Sequence, residues 1–265
     1  MTNNFPRPGG LGKIGYYMLR TTLRKLRQQY YSLQLQQNFR RNFQHFATLA
    51  KDDGRFDVSW SDRHPCLNDA TPTTDYDRHY ILHTGWAARV LAKTKPTLHV
   101  DIGSSLYFVS IASAIVPFGF YDYRPAQVPL PGISTGTADL TKLPFADSEI
   151  SSLSCMHVIE HIGLGRYGDP LDPTGDLKAA RELRRVVARG GQLLLVAPVG
   201  RPRIMFNAHR IYSYEQVLEM FHELHLCEFS LIPDDTAEPD LIMNAPPEMA
   251  ASQSYACGCF WFKRE

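Results

Sequence analysis

Three groups of side chains in this sequence have the types and spacing to do chemistry. The first is His157-Val-Ile-Glu160-His161, where two imidazoles flank a carboxylate. Histidine titrates near neutrality, so such a cluster can supply a general base with a carboxylate to orient it. It can equally cap and brace a turn. The second is His209-Arg210, whose guanidinium could clamp a carboxylate or phosphate on an acceptor, or close its own loop through a salt bridge. The third is spread along the chain: Asp101, Gly103 and Ser104, then Asp122-Tyr123, then Asp139-Leu140. Small residues at 103 and 104 let backbone approach a ligand, and an acid 21 residues beyond Asp101 is placed to take both hydroxyls of a ribose. Asp169, Asp172 and Asp176 match no calcium-loop spacing and read as turn carboxylates. Cys257-Gly-Cys259 lacks partner cysteines for zinc. No metal is expected.

The elements that must position these groups follow from periodicity. Apolar runs at Thr97–Ile102, Phe118–Asp122, Ile150–His157 and Gln192–Val199 read as strands. Helical patterns at Asp75–Lys93, Ser104–Ala114 and Leu177–Ala188 alternate with them, the first with Thr74 as N-cap and the last stopped by Arg189-Gly190-Gly191. Residues 123–137 read as a Pro/Gly-rich crossover. Ser213 and Gln216 form a capping-box pattern opening a helix to about Leu224, and two further strands, His225–Ile232 and Tyr255–Lys263, flank an acidic loop. Strands alternating with helices predict an α/β fold: a mostly parallel Rossmann-like sheet with helices on both faces. Ligands of such sheets bind beyond the carboxyl ends of the strands, where all three groups fall.

Composition sets the remaining bounds. Hydrophobic residues make up 44% and charged residues 21%, an ordinary balance for a globular domain. The five cysteines form no paired framework, and no apolar stretch is long enough for a bilayer or a secretory signal, so a reduced, cytoplasmic protein is expected. Charge is unevenly spread. Residues 1–51 carry nine basic side chains and no acidic one, leaving the rest of the chain at −8 of a net +1. After a Pro/Gly lead over residues 1–10, Tyr16, Met18, Leu19, Leu23, Leu26, Tyr30 and Leu33 recur at helical steps. Residues 1–50 are therefore expected to form a basic amphipathic helical extension to an α/β domain over 51–265. Packing on that domain or on a second copy, docking at an anionic membrane, and nucleic acid are the readings weighed for residues 11–49. No recognition motif supports nucleic acid.

In order along the chain, Asp101-Ile-Gly103, Asp122, Ala138-Asp139-Leu140, Leu143-Pro-Phe145, Glu160-His161 and Arg189-Gly-Gly191 resemble the class I S-adenosylmethionine-dependent methyltransferases over roughly residues 97–225. The run Glu160–Asp176, with Asn207-Ala-His-Arg-Ile-Tyr212, is similar to an uncharacterised branch of that superfamily known from bacteria and nematodes. The resemblance implies S-adenosylmethionine as cofactor. Gly103 and Ser104 would lie under its amino-acid part, Asp122 would hold the ribose with Tyr123 beside it, and Asp139 with Leu140 would meet the adenine. It implies methyl transfer; the polar cleft residues and the suspected membrane face point to a small polar acceptor, such as a sugar or glycan precursor, with His157, Glu160, His161, His209 and Arg210 around the reacting atoms. Ser105 and Tyr107 stand where the family has two further glycines. A Tyr107 ring in the cofactor position would make the chain a non-catalytic scaffold with a degenerate site, whereas an open cleft would leave the enzyme reading.

Overall fold

The computed structural model describes residues 10–235 and 238–265, with side chains from residue 22 onward. Residues 1–9 of the expected lead, and the side chains of Tyr16, Met18 and Leu19, lie outside the described residues. The chain divides into two units between Asp75 and Tyr76.

The first unit is built on helix α1, Gly10–Leu49. No proline interrupts it. Leu23, Leu26, Tyr30 and Leu33 are each more than half exposed. Within this unit Trp60 is met by Phe43 edge-on at 4.9 Å and by the Arg63 guanidinium at 4.5 Å.

The second unit opens with α2, Arg78–Thr94. Its N-cap is Asp77, whose side chain accepts the Tyr80 N–H, rather than Thr74. There follow β1 (His99–Ile102), α3 (Leu106–Ala112), β2 (Phe118–Asp122), β3 (Ile133–Thr137) and β4 (Ile150–Met156). Next come α4 (Gly175–Val186), β5 (Val187–Val199), β6 (Arg203–Met205), β7 (His209–Ile211) and α5 (Tyr214–Met220). The unit closes with β8 (His225–Ile232), α6 (Pro247–Ser252) and β9 (Ala256–Lys263). The Ser213/Gln216 capping box opens α5.

Seven strands form one sheet in the order β3-β2-β1-β4-β5-β9-β8. All its pairings are parallel except those of β9, which runs antiparallel to both β5 and β8. The chain winds outward from β1 to β3, then crosses back to start β4 beside β1. That reversal leaves a crevice at the carboxyl ends of β1 and β4, the place where open α/β sheets hold ligands. Leu193 and Leu195 point to the face covered by α4 and α5, while Leu194 and Val196 point to the face covered by α2 and α3. Burial on both sides explains why β5 reads as a continuous apolar run. Cys257 and Cys259 share the α2/α3 face, as their i, i+2 spacing requires.

The structure departs from expectation in three further places. Residues 133–137, read as part of a crossover, form β3, in which a Cβ at Gly136 would lie 2.5 Å from the Tyr121 ring, so this strand glycine makes room for a neighbour's aromatic. The Arg189-Gly190-Gly191 stop falls within β5, at its irregular pairing with β4, and α4 already ends at Val186. The short hairpin β6–β7 and helix α6 have no counterpart in the sequence reading.

A chain of buried polar groups crosses the α2/α3 face. Trp261 Nε1–H donates to Gln192 Oε1, and Gln192 Nε2–H donates to Ser152 Oγ. His99 bridges Ser152 Oγ at 2.7 Å and Ser154 Oγ at 2.9 Å, and Ser154 donates to Asp101 Oδ2. Every member is satisfied when His99 is neutral with its proton on Nε2. Burial holds His99 at about 3 and raises Asp101 to about 6. The unfolded chain protonates His99 below about 6.5 and the folded chain does not, so the stability it contributes above that pH is lost as pH falls toward 3. His79 and His83, depressed by burial to about 4 and about 3, act in the same direction. Asp101 opposes them between about 6 and 4. The urea midpoint is expected to fall from pH 7 to pH 4.5, and His99→Gln is expected to remove about one proton from that slope. An unchanged slope would show that His99 is not held neutral.

Candidate active site

At the carboxyl ends of β1, β2 and β4 lies a cleft of about 350 Å³. Its floor and one wall are Ile102-Gly103, Asp122-Tyr123-Arg124 and Ala138-Asp139-Leu140-Thr141. The other wall is His157-Val158 and His161-Ile162-Gly163, with Tyr167, Asp169, Pro170 and Asp172 from the following loop. Gly103 has φ +70 and donates its N–H to the Tyr121 carbonyl at 2.8 Å. A Cβ there would lie 3.2 Å from Val158 and 3.4 Å from Asp122 Oδ2, so only glycine leaves this floor open. Asp122 Oδ1 accepts the Arg124 N–H at 2.7 Å, and Asp139 Oδ1 accepts from Thr141 N and Oγ1.

Of the residues expected to hold a cofactor, Gly103, Asp122, Tyr123, Asp139 and Leu140 line this cleft. Asp101 and Ser104 do not. Both are buried beneath it, where Asp101 Oδ1 accepts the Ser104 N–H and Ser104 Oγ accepts the Met156 N–H. They set the turn rather than touch its contents. Tyr107 is 85% exposed, because Phe108, Val109 and Ala112 take the buried side of α3 and turn residue 107 outward. The two non-glycine residues of the turn therefore leave the cleft open.

A second, larger chamber of about 810 Å³ shares His157, His161 and Tyr167 with the first. It is also lined by His79, Tyr80, Glu160, Arg166, His209, Asp234 and Tyr255. His157 sits at φ +57 just past β4, with Nδ1 2.8 Å from Glu160 Oε1 and Nε2 3.4 Å from Cys257 Sγ. Glu160 is 1% exposed, and its Oε2 has no hydrogen-bond partner among the described residues. His161 Nδ1 lies 2.6 Å from the Ala208 carbonyl. Placing the proton elsewhere would set two lone pairs face to face at that distance, so Nδ1–H donates, and in the neutral ring Nε2 keeps its lone pair. That Nε2 is 3.9 Å from Glu160 Oε1. His209 stacks on Tyr255 at 5.0 Å, and burial lowers its basicity.

Arg210 does not reach either space. It is buried, with Nη1 donating to the Ile162 carbonyl at 2.6 Å and its Nε 3.4 Å from Asp176. Nη2 reaches toward the Asp172 and Pro173 carbonyls, so the guanidinium closes the loop over residues 160–176 instead of meeting an acceptor. Asp169 organises the same loop by accepting N–H bonds from Gly163, Gly165 and Tyr167. Burial works against its ionised form, but these donors outweigh it and lower its pKa. Asp172, holding Thr174 and Lys178, drops to about 2, chiefly through Lys178. Asp169 and Asp172 are the turn carboxylates their spacing suggested, whereas Asp176 lies buried in the first turn of α4, accepting from Tyr212 Oη and paired with Arg210.

Sequence reasoning missed His79 and Tyr255, while Arg166 and Tyr167 lie within the run Glu160–Asp176 that it had marked. Tyr80 of α2 also stands in the chamber wall, and His83 packs in the interior. The ring of Tyr167 lies 5.2 Å from the Arg124 guanidinium and 5.1 Å from that of Arg166, which holds the loop beside the cleft. Arg210→Lys is expected to cost about 2 kcal/mol or more, since one ammonium cannot replace a fork serving several buried acceptors. Unfolding in urea measures this. An unchanged stability with lost activity would instead put Arg210 on a substrate.

Residues 146–232 match the family described as "Caenorhabditis protein of unknown function, DUF268". No curated protein matches the chain. Among solved structures, the chain is similar to the N-methyltransferase NodS of Bradyrhizobium japonicum in complex with S-adenosyl-L-homocysteine. The identity is 13%, over 75% of this chain and 93% of that one, with a TM-score of 0.49. It is similar to the Burkholderia thailandensis 1,6-didemethyltoxoflavin-N1-methyltransferase at 8% identity, over 69% and 79% of the two chains, with a TM-score of 0.47. It is also similar to the cyclase SpnF, at 12% identity over 67% and 81%, with a TM-score of 0.47. With five parallel strands wound about β1 and β4 and an antiparallel β9 set between β5 and β8, the chain has the class I methyltransferase fold, and over residues 146–232 it matches a family of unknown function.

Proposed function

We propose that this protein transfers a methyl group from S-adenosylmethionine to a small polar acceptor of the sugar or glycan-precursor type. One observation carries the proposal: a glycine-floored cleft with an acid at the β2 end shares His157, His161 and Tyr167 with a chamber large enough for a second molecule. The residues present fit the cofactor. A Cβ at Gly103 would fill its cradle, and Asp122 presents an oxygen above that glycine. Asp122 would take the ribose hydroxyls, while Asp139, Leu140 and Thr141 would border the adenine. When bound, the cofactor supplies a methyl carbon already activated by its sulfonium.

The chain then has to orient the acceptor and take its proton. The faces of Tyr80, Tyr255, His79 and His209 give flat contact surfaces, and their polar edges, with Arg166 and Asp234, give donors and acceptors. That mixture suits a polyhydroxylated ring. His161 lines both spaces, and its Nε2 lone pair is the one we assign as general base. Glu160, 3.9 Å behind it, stabilises the imidazolium that forms. His157, with Nδ1–H held by Glu160, positions that carboxylate. The scaffold alternative loses its main support, because the Tyr107 ring stands outside the cleft. The basic, apolar-faced segment of residues 11–49 fits a role apart from the chemistry, in peripheral membrane contact or self-association.

The test uses S-adenosylmethionine carrying a labelled methyl group and a panel of free sugars, sugar phosphates and amines. Label should move to a hydroxylated acceptor. His161→Gln should lower kcat about 10²–10⁴-fold without changing cofactor affinity. A protein that binds the cofactor but transfers label to no member of the panel would sink the sugar-type reading. Full activity in His161→Gln would remove that residue from the chemistry.

A further inference from the structure

At one wall of the larger chamber, His79 and His157 line the space with Cys257 buried behind them, a donor set that methyl transfer does not require. A ring nitrogen of His79, a ring nitrogen of His157 and the Cys257 sulfur all lie within 4.8 Å of one another. They come from three elements, α2, the turn after β4 and β9, so the packing of the sheet fixes them. His157 Nε2 stands 3.4 Å from Cys257 Sγ. In a tetrahedral zinc site, bond lengths near 2.0 Å to nitrogen and 2.3 Å to sulfur set those two ligands about 3.5 Å apart. The other nitrogen of His157 donates to Glu160 at 2.8 Å, the carboxylate–histidine arrangement that orients imidazole ligands and raises their basicity.

A second observation points to a ligand at the same place. Glu160 Oε2 and His83 Nε2, both buried beside His157, have no hydrogen-bond partner among the described residues. A buried carboxylate served by one imidazole is costly unless more positive charge stands close by. A divalent cation on His157 would supply it. One thiolate and the Glu160 carboxylate would balance its two charges, and the two imidazoles would add none.

We propose that His79, His157 and Cys257 bind a divalent cation of the zinc type, with Glu160 as the outer carboxylate behind His157. Nitrogen and sulfur donors select zinc over magnesium or calcium. On binding, a sulfur–metal bond replaces the Cys257 S–H bond and the proton leaves to solvent. Because His79 and His157 line the chamber, the fourth coordination position faces the acceptor space. A hydroxyl placed there would be acidified. The site itself stands whether or not the methyl-transfer reading does.

The probe is zinc chloride, followed by cobalt chloride, on the full-length chain freed of any affinity tag. Dialysis against a competing chelator should leave about one zinc per chain, and cobalt should give the thiolate charge-transfer and tetrahedral ligand-field bands. Cys257→Ser should abolish the charge-transfer band. His79→Gln should weaken zinc at least about 100-fold, and Glu160→Gln about 10–100-fold. Cys66→Ser should change nothing. His79 lies in the chamber wall, so its variant keeps the test valid if Cys257→Ser fails to fold. No zinc retained by the wild type, or one zinc retained by both His79→Gln and Cys257→Ser, would overturn the proposal. Asp122→Ala separates the two functions: it should lose S-adenosylhomocysteine and keep zinc.

Discussion

The arrangement around the two spaces depends on one buried carboxyl group. Glu160 sits at 1% exposure on the single turn that follows β4, and a carboxylate there must be matched by donors or cations. His157 donates to it, His161 stands 3.9 Å away, and the Ile162 carbonyl of the same turn is held by buried Arg210. The turn is thereby pinned from both sides. Its two histidines then have no choice of direction: each is held through Nδ1, by Glu160 or by the Ala208 carbonyl. A general base needs such a fixed tautomer, and a metal ligand needs the same.

The opposite wall is governed by a different constraint. Asp101 ends a hydrogen-bonded chain that starts at Trp261, three strands away across the sheet. Each link is satisfied only with His99 neutral, and a satisfied buried network specifies one arrangement of the strands it joins. The same carboxylate fixes Ser104, and with it the turn at Gly103. The cleft floor is therefore tied to the interior of the sheet rather than to a surface loop. Loop 160–176, gathered by Asp169, Asp172 and Arg210, supplies the side that differs most from a plain strand-to-helix link.

Much of the cleft was legible in the sequence because its residues sit at strand ends, where position along the chain nearly fixes position in space. Gly103, Asp122, Tyr123, Asp139 and Leu140 are cases of this kind. Asp101 and Ser104 share the location but are turned inward, a difference of side-chain direction that spacing does not report. Tyr107 is the reverse case. It replaces a glycine in the pattern, and only the phase of α3, with Phe108 and Val109 inward, shows that its ring points away. His79 and Tyr255 were missed because nothing local distinguishes them; α2 and β9 bring them together only after the sheet forms. Strand β3 was missed because Gly136 looks like a turn residue, while its actual role is to clear the Tyr121 ring.

The account rests on the small cleft as a cofactor site, and calorimetric titration of S-adenosylhomocysteine into the wild type and Asp122→Ala probes that alone. It requires no knowledge of the acceptor and no turnover. Saturable, micromolar binding by the wild type that Asp122→Ala abolishes is the predicted result. A correctly folded wild type that takes up no ligand, or a variant that binds as tightly as the wild type, would contradict it.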